Sequence, residues 1–430
     1  MTRIRTGTAV AASLFAIVCA PPAPGAEALT LDAVVTQALQ ANAQLRSLRA
    51  QHEALRARPI QARGLPNPMF RYSGMDMVHG GDFPDTNEKR FMLEQELPGF
   101  GKRGLRADMA AYDAEAMERE VETMTRDVVL RVKESYFELY AVQRVIEITL
   151  NEEGVLQRME RVAEVLYTTG EHTQQDLLKA QSEVTMLKPR LLDLEAQEAA
   201  LTGQLNALLD RRPDDPLGRA ETAPADAAGP GTEALLRIAE VGRPEIHGAE
   251  AQLARSQAER RLMAREGLPD YRLGVEYRDF QQGDDMVMFS VGLDLPLWRG
   301  KVRAAVREAE SMATARGAEL EAARRQVASE VWEAHAKLLA ARQTLDLYRT
   351  ELIPQAEARF KSSEAGYQSG KVAFLDLLES ERFLLNARVM AAMAEGTLGM
   401  QLARLERAVG TDVQTDAGNR QGGAQEGHGP

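Results

Sequence analysis

The chain has 430 residues, of which 44% are hydrophobic, 27% charged and only 5% aromatic, a balance that suits a large core built on long helices and excludes wholesale disorder. One cysteine and six histidines exclude a disulfide scaffold and count against a Cys/His metal centre. A net charge of −12 excludes the concentrated positive surface that nucleic acid requires, and beyond the N-terminus no apolar run reaches the ~20 residues of a membrane-crossing helix.

Residues 1–26 read as a secretory signal peptide. Arg3 and Arg5 supply its positive start, Ala9 to Ala20 its apolar stretch, and Pro24-Gly25-Ala26 the small residues of a cleavage site. Cys19 lies inside this segment. Ala16 and Val18 stand where a lipoprotein signal prefers Leu and a small residue, which counts against lipidation of Cys19. The mature chain is expected to be exported and to owe nothing to disulfides.

Residues 27–210 form a first structural unit. Strands are expected over about 69–76, where Phe70 and Tyr72 begin the run, and about 89–97, where Phe91, Leu93 and Leu97 alternate with Arg90, Met92, Glu94 and Glu96. From Gly101 to Tyr167 there is no proline. Apolar residues there recur every three or four places, as in Val121, Met124, Val128, Val132, Tyr136 and Leu139. That spacing predicts a coiled-coil-like helix roughly 100 Å long. Pro189 is expected to bend the helix after it. Residues 211–231, rich in Pro, Asp, Ala and Gly, link to a second unit over 232–410. Its strands fall at about 270–279 and 286–295, and Pro354 is expected to bend its long helix. The Gly/Gln-rich tail, 411–430, reads as disordered.

The two units are copies of one pattern. Tyr167-x-x-Gly170 followed by Asp176-Leu-Leu178 recurs as Tyr367-x-x-Gly370 followed by Asp376-Leu-Leu378. Gly64-Leu-Pro66 recurs as Gly267-Leu-Pro269, and Leu97-Pro98 as Leu295-Pro296. Generic helix similarity does not explain matches made mostly of Gly, Pro, Tyr and Asp. Each unit thus supplies one hairpin between long helices. Four strands with an apolar face cannot close a barrel; three copies would bring twelve, which can. An ordinary soluble hairpin packed on a helix stays open as the alternative.

With its two-fold repeat, two hairpins, Leu97-Pro-Gly-Phe-Gly-Lys102 and Leu295-Pro-Leu-Trp-Arg-Gly-Lys301 junctions and Tyr-x-x-Gly tips, the chain resembles the TolC family of outer-membrane efflux proteins, and within it the CusC and CzcC heavy-metal subgroup. The resemblance implies a mainly α fold with a small β part. A homotrimer would join four strands per chain into a twelve-stranded barrel in outer-membrane lipid of a Gram-negative bacterium, continued by an α-helical barrel through the periplasm. It implies a passive, non-enzymatic exit duct without cofactors. Its partners would be a periplasmic adaptor and an inner-membrane pump of the RND type, and its cargo metal cations. The alternatives are a duct for drugs or secreted proteins, or a soluble periplasmic adaptor or scaffold. No Ser/His/Asp grouping, P-loop or dinucleotide fingerprint offers a catalytic site.

Three groups of residues are candidates for function. Gly170 and Gly370 suit the left-handed position that ends a helix, and Thr173 is expected to cap the next one, whereas Lys371 takes the corresponding region of the second tip without a comparable cap. By the resemblance, Tyr167, Gly170, Thr173, Tyr367, Gly370 and Lys371 form the periplasmic tip that docks the adaptor; a plain helix stop explains the same shape. By the resemblance too, Asp176 and Asp376 face the lumen near the entrance. Glu379 follows Asp376 one turn on, and Lys179 holds the matching first-half place. Repeated by three copies, these acids would form cation-favouring rings, with Lys179 paired to Asp176 holding the aperture shut; solvated helix acids are the plainer reading. Last, Met75, Met77 and His79 carry soft donors suited to Cu(I) or Ag(I), a weak metal candidate on a loop.

Overall fold

The computed structural model describes residues 29–77, 86–170, 173–223, 230–281 and 283–411. The signal sequence with Cys19, His79, and the tail from 412 onward lie outside the described residues, as do the side chains of Met75 and Met77.

Each repeat runs through short helices, a hairpin, a long helix, a tight turn and a returning helix. In the first, α1 (Leu31–Ala41), α2 (Ala43–Arg56) and α3 (Arg58–Arg63) precede β1 (Met69–Met77) and β2 (Thr86–Leu97). Asn42 caps α2 by accepting from the Leu45 N–H at 2.9 Å. Then come α4 (Lys102–Thr168), 67 residues long, and α5 (Gln174–Leu208). In the second, α6 (Thr232–Gly242) and α7 (Pro244–Arg265) precede β3 (Asp270–Phe280) and β4 (Met286–Asp294). The long element that follows is α8 (Arg299–Leu347), a π-turn (Tyr348–Leu352) and α9 (Ile353–Gln368), end to end, before α10 (Phe374–Val409) returns. Next to Pro354, the place of the expected bend, stands a wide turn: proline brings no N–H to an ordinary turn, and the extra residue absorbs the mismatch. Pro189 lies inside α5, which continues through it as one helix.

The four strands form one antiparallel sheet in the order β1-β2-β3-β4, so the two hairpins join along β2 and β3. The register sorts side chains by face. Tyr72, Phe91, Tyr277 and Val287 form one cross-strand row, and Phe70, Leu93, Val275 and Phe289 the next. This face is apolar and bare, with Phe289 78% exposed. The opposite face carries Glu88, Arg90, Glu276 and Arg278, which pair at 2.7 Å (Arg90–Glu88) and 2.6 Å (Arg278–Glu276). Both edges of the sheet, β1 and β4, lack a partner strand in the protomer.

The helices bury their stripes in a layered wall. α10 packs on α4, α8 and α9, while α4 also packs on α5 and α7. Val327, Val331, Leu338, Leu398, Leu402 and Leu405 make one core, and Val128, Val132, Tyr136, Leu139, Leu201 and Leu205 another. Lys102 joins helix layer to sheet. It is 1% exposed, and its Nζ reaches Asp270 at 2.9 Å, Glu266 at 3.1 Å and the Leu268 carbonyl at 3.0 Å. The strand-to-helix junction of one repeat is thus anchored by acids of the other. Lys102→Met takes the cation from Asp270, whereas Glu266 keeps Arg106 at 3.1 Å, and is expected to cost about 2 kcal/mol, read as a lowered thermal unfolding midpoint.

Candidate functional site

Both helix turns use the same geometry. Gly170 (φ 77°) and Gly370 (φ 71°) take the left-handed conformation that lets the chain reverse, and each N–H donates to the carbonyl of its Tyr-x-x-Gly tyrosine at 3.0 Å. The tyrosines themselves differ. Tyr167 is 40% exposed, whereas Tyr367 is 1% exposed and packs on Phe374 at 5.3 Å between ring centres. Thr173 precedes α5 in extended conformation, but its side chain makes no cap hydrogen bond, which corrects the expected cap. Lys371, Asp376 and Glu379 are exposed; Asp176 and Lys179 are half-buried. Among the described residues Lys179 does not pair with Asp176 inside the protomer. Asp176 instead acts on Tyr367: burial, and then the Asp176 carboxylate, push the phenol up to about 12.

A shared core gathers these turns. Leu156, Met159 and Ala163 of α4, Ala180 and Leu187 of α5, Tyr367 of α9, and Phe374 and Leu377 of α10 pack as one cluster. The start of α10 packs into this core. It is tied to α5 by Arg382, whose Nε donates to Glu183 at 3.1 Å. Farther along, α10 is tied to α4 by opposite charges: Lys133–Glu406 at 2.6 Å, Arg404–Glu134 at 2.6 Å and Arg407–Asp127 at 2.5 Å.

Between these ties α10 meets α4 through two acids. Glu152 is 4% and Glu381 3% exposed, and neither forms an ion pair among the described residues. Burial, first, and then the bond to and charge of Glu152 push Glu381 far above the usual carboxylate range, to about 10. Both acids line a cavity of about 560 Å³ walled by Val155, Met159, Phe360 and Leu384. Sequence reasoning passed over them, although a signal was present. Glu152 stands in the buried stripe Val145, Thr149, Glu152, Leu156, Met159, and Glu381 in the stripe Phe374, Leu377, Glu381, Leu384. An acid at a coiled-coil core position on both of two packed helices is the feature to look for.

Among the described residues no group of three or more His, Cys, Asp or Glu gathers as a metal-ligand set, and no helix is long and apolar enough to cross a membrane.

Residues 34–210 and 235–411 each match the family described as outer membrane efflux protein, one match per repeat. The cobalt-zinc-cadmium resistance protein CzcC of Cupriavidus metallidurans is 23% identical over 401 residues, covering 90% of this chain and 92% of that protein. The pyoverdine export outer membrane protein OpmQ of Pseudomonas aeruginosa is 27% identical over 362 residues, covering 79% and 72%. Among solved structures, the outer-membrane channel OprN superposes with a TM-score of 0.76 at 22% identity, covering 89% of this chain and 90% of that one. CusC superposes with a TM-score of 0.75 at 19% identity, covering 91% and 96%.

The Arg382–Glu183 tie predicts that Arg382→Ala frees the start of α10 but not its end. Hydrogen exchange should speed up about fivefold over 374–382, as loss of a ~1 kcal/mol partly exposed pair implies, and stay unchanged around Glu406.

Proposed function

The chain belongs to the outer membrane efflux protein family, and on that premise we propose that three copies assemble into one continuous duct for divalent metal cations. The family and the fold are those of channel proteins. The observation that carries the trimeric reading is the four-stranded sheet, bare on its apolar face and unpaired at both edges. A membrane barrel needs lipid on that face and a strand on each edge. Below the sheet, α5 packs on α4 and leaves Leu178, Met186 and Leu192 exposed, an apolar stripe that suits a neighbouring copy. The duct would open at the tips onto a periplasmic adaptor, through Tyr167, Gly170, Thr173, Gly370 and Lys371, and draw on an inner-membrane pump beyond it. Asp376 and Glu379, exposed on one helix face, would ring the entrance with negative charge and favour cations. An N-terminal signal peptide would deliver the chain to the outer membrane, with the repeats at 27–210 and 232–410 on either side of the 211–231 linker.

Cargo is read from the relatives. CzcC, matched over nearly its whole length, is a cobalt-zinc-cadmium resistance protein, which supports metal cations. The likeness to OpmQ supports a second reading, an organic chelator as cargo. Loss of the chain from its host should raise sensitivity to cobalt, zinc and cadmium salts; unchanged metal tolerance with impaired export of an organic chelator would favour the second reading.

The internal repeat supports one seam between copies. Pairing of Phe70 with Leu93 has its equivalent in Leu273 with Val291, so β3 corresponds to β1 and β4 to β2. Within the protomer Leu273 pairs with Gln95, whose equivalent is Leu293. Phe70 of one copy should therefore lie opposite Leu293 of the next. A Phe70→Cys, Leu293→Cys chain should give covalent trimers on mild oxidation in membranes, whereas Phe70→Cys with Gly292→Cys, which points the second thiol to the other face, should not. In planar bilayers Asp376→Ala should lower the cation-over-anion permeability ratio of the duct; an unchanged ratio would refute the acidic ring.

A further inference from the structure

We propose that the Glu152–Glu381 contact is a proton latch between α4 and α10, so that drawing the start of α10 away from α4 releases one proton per protomer. This deepens the duct reading, whose entrance the latch would regulate.

The latch rests on geometry. Two acids of different repeats, on helices that pack on each other, line one cavity, each more than nine-tenths buried, with one oxygen apiece (Oε1) lacking any hydrogen-bond donor. Such a pair stays packed with a proton on one of its carboxyls, because two buried like charges repel strongly, no cation reaches ion-pair distance of either acid among the described residues, and the Arg382 charge offsets Glu381 only in part. The surrounding charges do not fill that role. On α4, Arg158 lines the cavity without reaching ion-pair distance of either acid. On α5, Glu183 adds negative charge and is matched by Arg382 of α10. On α9, Glu357 is matched by Arg388 of α10 at 2.9 Å, and Lys361, Glu364 and Tyr367 line the cavity wall. Opposite charges bind the far part of α10, so the acid contact is the part of the α4–α10 seam that separates most readily. The adjoining cavity of about 560 Å³ gives the side chains room to leave it.

The sign follows from linkage. In the packed seam Glu381 holds a proton across the neutral range; once solvated, a glutamic acid gives it up well below neutral pH. The packed form thus binds one more proton per protomer than the separated form. Acid favours the closed seam, and the separated population rises by about tenfold per pH unit for each protomer that moves.

The test uses the full-length trimer in membranes. Infrared difference spectra of the wild type and Glu381→Gln at pH 8 should reveal a protonated carboxyl band in the wild type that the variant lacks. Spin labels at Val165 of α4 and Leu375 of α10, both exposed, should show a spread population that grows between pH 6 and pH 9 in the wild type. In Glu381→Gln, and equally in Glu152→Gln, which keeps a hydrogen-bond donor in the pair without a titrating proton, the spread should not change with pH. Absence of the band, a wild-type spread insensitive to pH, or a pH-dependent spread that survives in both variants would each overturn the latch. Conductance recorded in parallel separates the two claims: a spread that follows pH in a protein that never conducts refutes the duct and leaves the latch standing.

Discussion

Backbone N–H and C=O groups at a strand edge have no partner in hydrocarbon, and each one left open there costs several kcal/mol. This protomer ends its sheet on two such edges, β1 and β4, beneath a face of Phe70, Leu93, Val275, Phe289 and Val291. Among the described residues every other long element is helical, so no strand of the protomer is left to cover either edge. Copies of the same chain would repair both at once, since the pairing of β2 with β3 inside the protomer is a template for pairing β4 with β1 between protomers. The internal repeat is what makes that possible, giving the free edges the same spacing and face as the strands already joined.

The helical part follows from the same requirement carried downward. Helices of some 100 Å cannot fold into a globule and must stand side by side. Ion pairs such as Lys133–Glu406 and Arg407–Asp127 bind the far end of α10 near the middle of α4, while buried Lys102 ties the helices to the strands. Toward the turns the attachment changes in kind: a hydrophobic cluster around Tyr367, one cross-helix pair from Arg382 and two buried acids. A wall fixed at one end and conditionally held at the other is what an entrance that opens requires.

Much of this was legible in the sequence, for physical reasons. Alternation of apolar and polar residues marks a half-exposed strand, and Phe91, Leu93, Val287 and Phe289 carry it plainly. Glycines at the two turns mark conformations that other residues resist. Less was legible where the answer depended on partners distant in the chain. Thr173 looked like a cap, but no N–H of α5 comes within its reach. Lys179 looked like the partner of Asp176, yet among the described residues of the protomer the two form no ion pair, and the Asp176 carboxylate instead raises the Tyr367 phenol of the other repeat. Glu152 and Glu381 hid among many helix acids, because their burial depends on α4 and α10 meeting at that height. Their place in the coiled-coil stripes was visible; the fact that two such places coincide was not.

The central claim is that the sheet is one third of a barrel completed by two further copies. Electron cryomicroscopy of the full-length chain extracted from outer membranes in detergent tests it most directly. The account predicts three protomers around one axis, twelve strands closed into a single barrel, with β4 of each copy paired to β1 of the next. Protein released without detergent as a monomer, its sheet edges open to water, would contradict it.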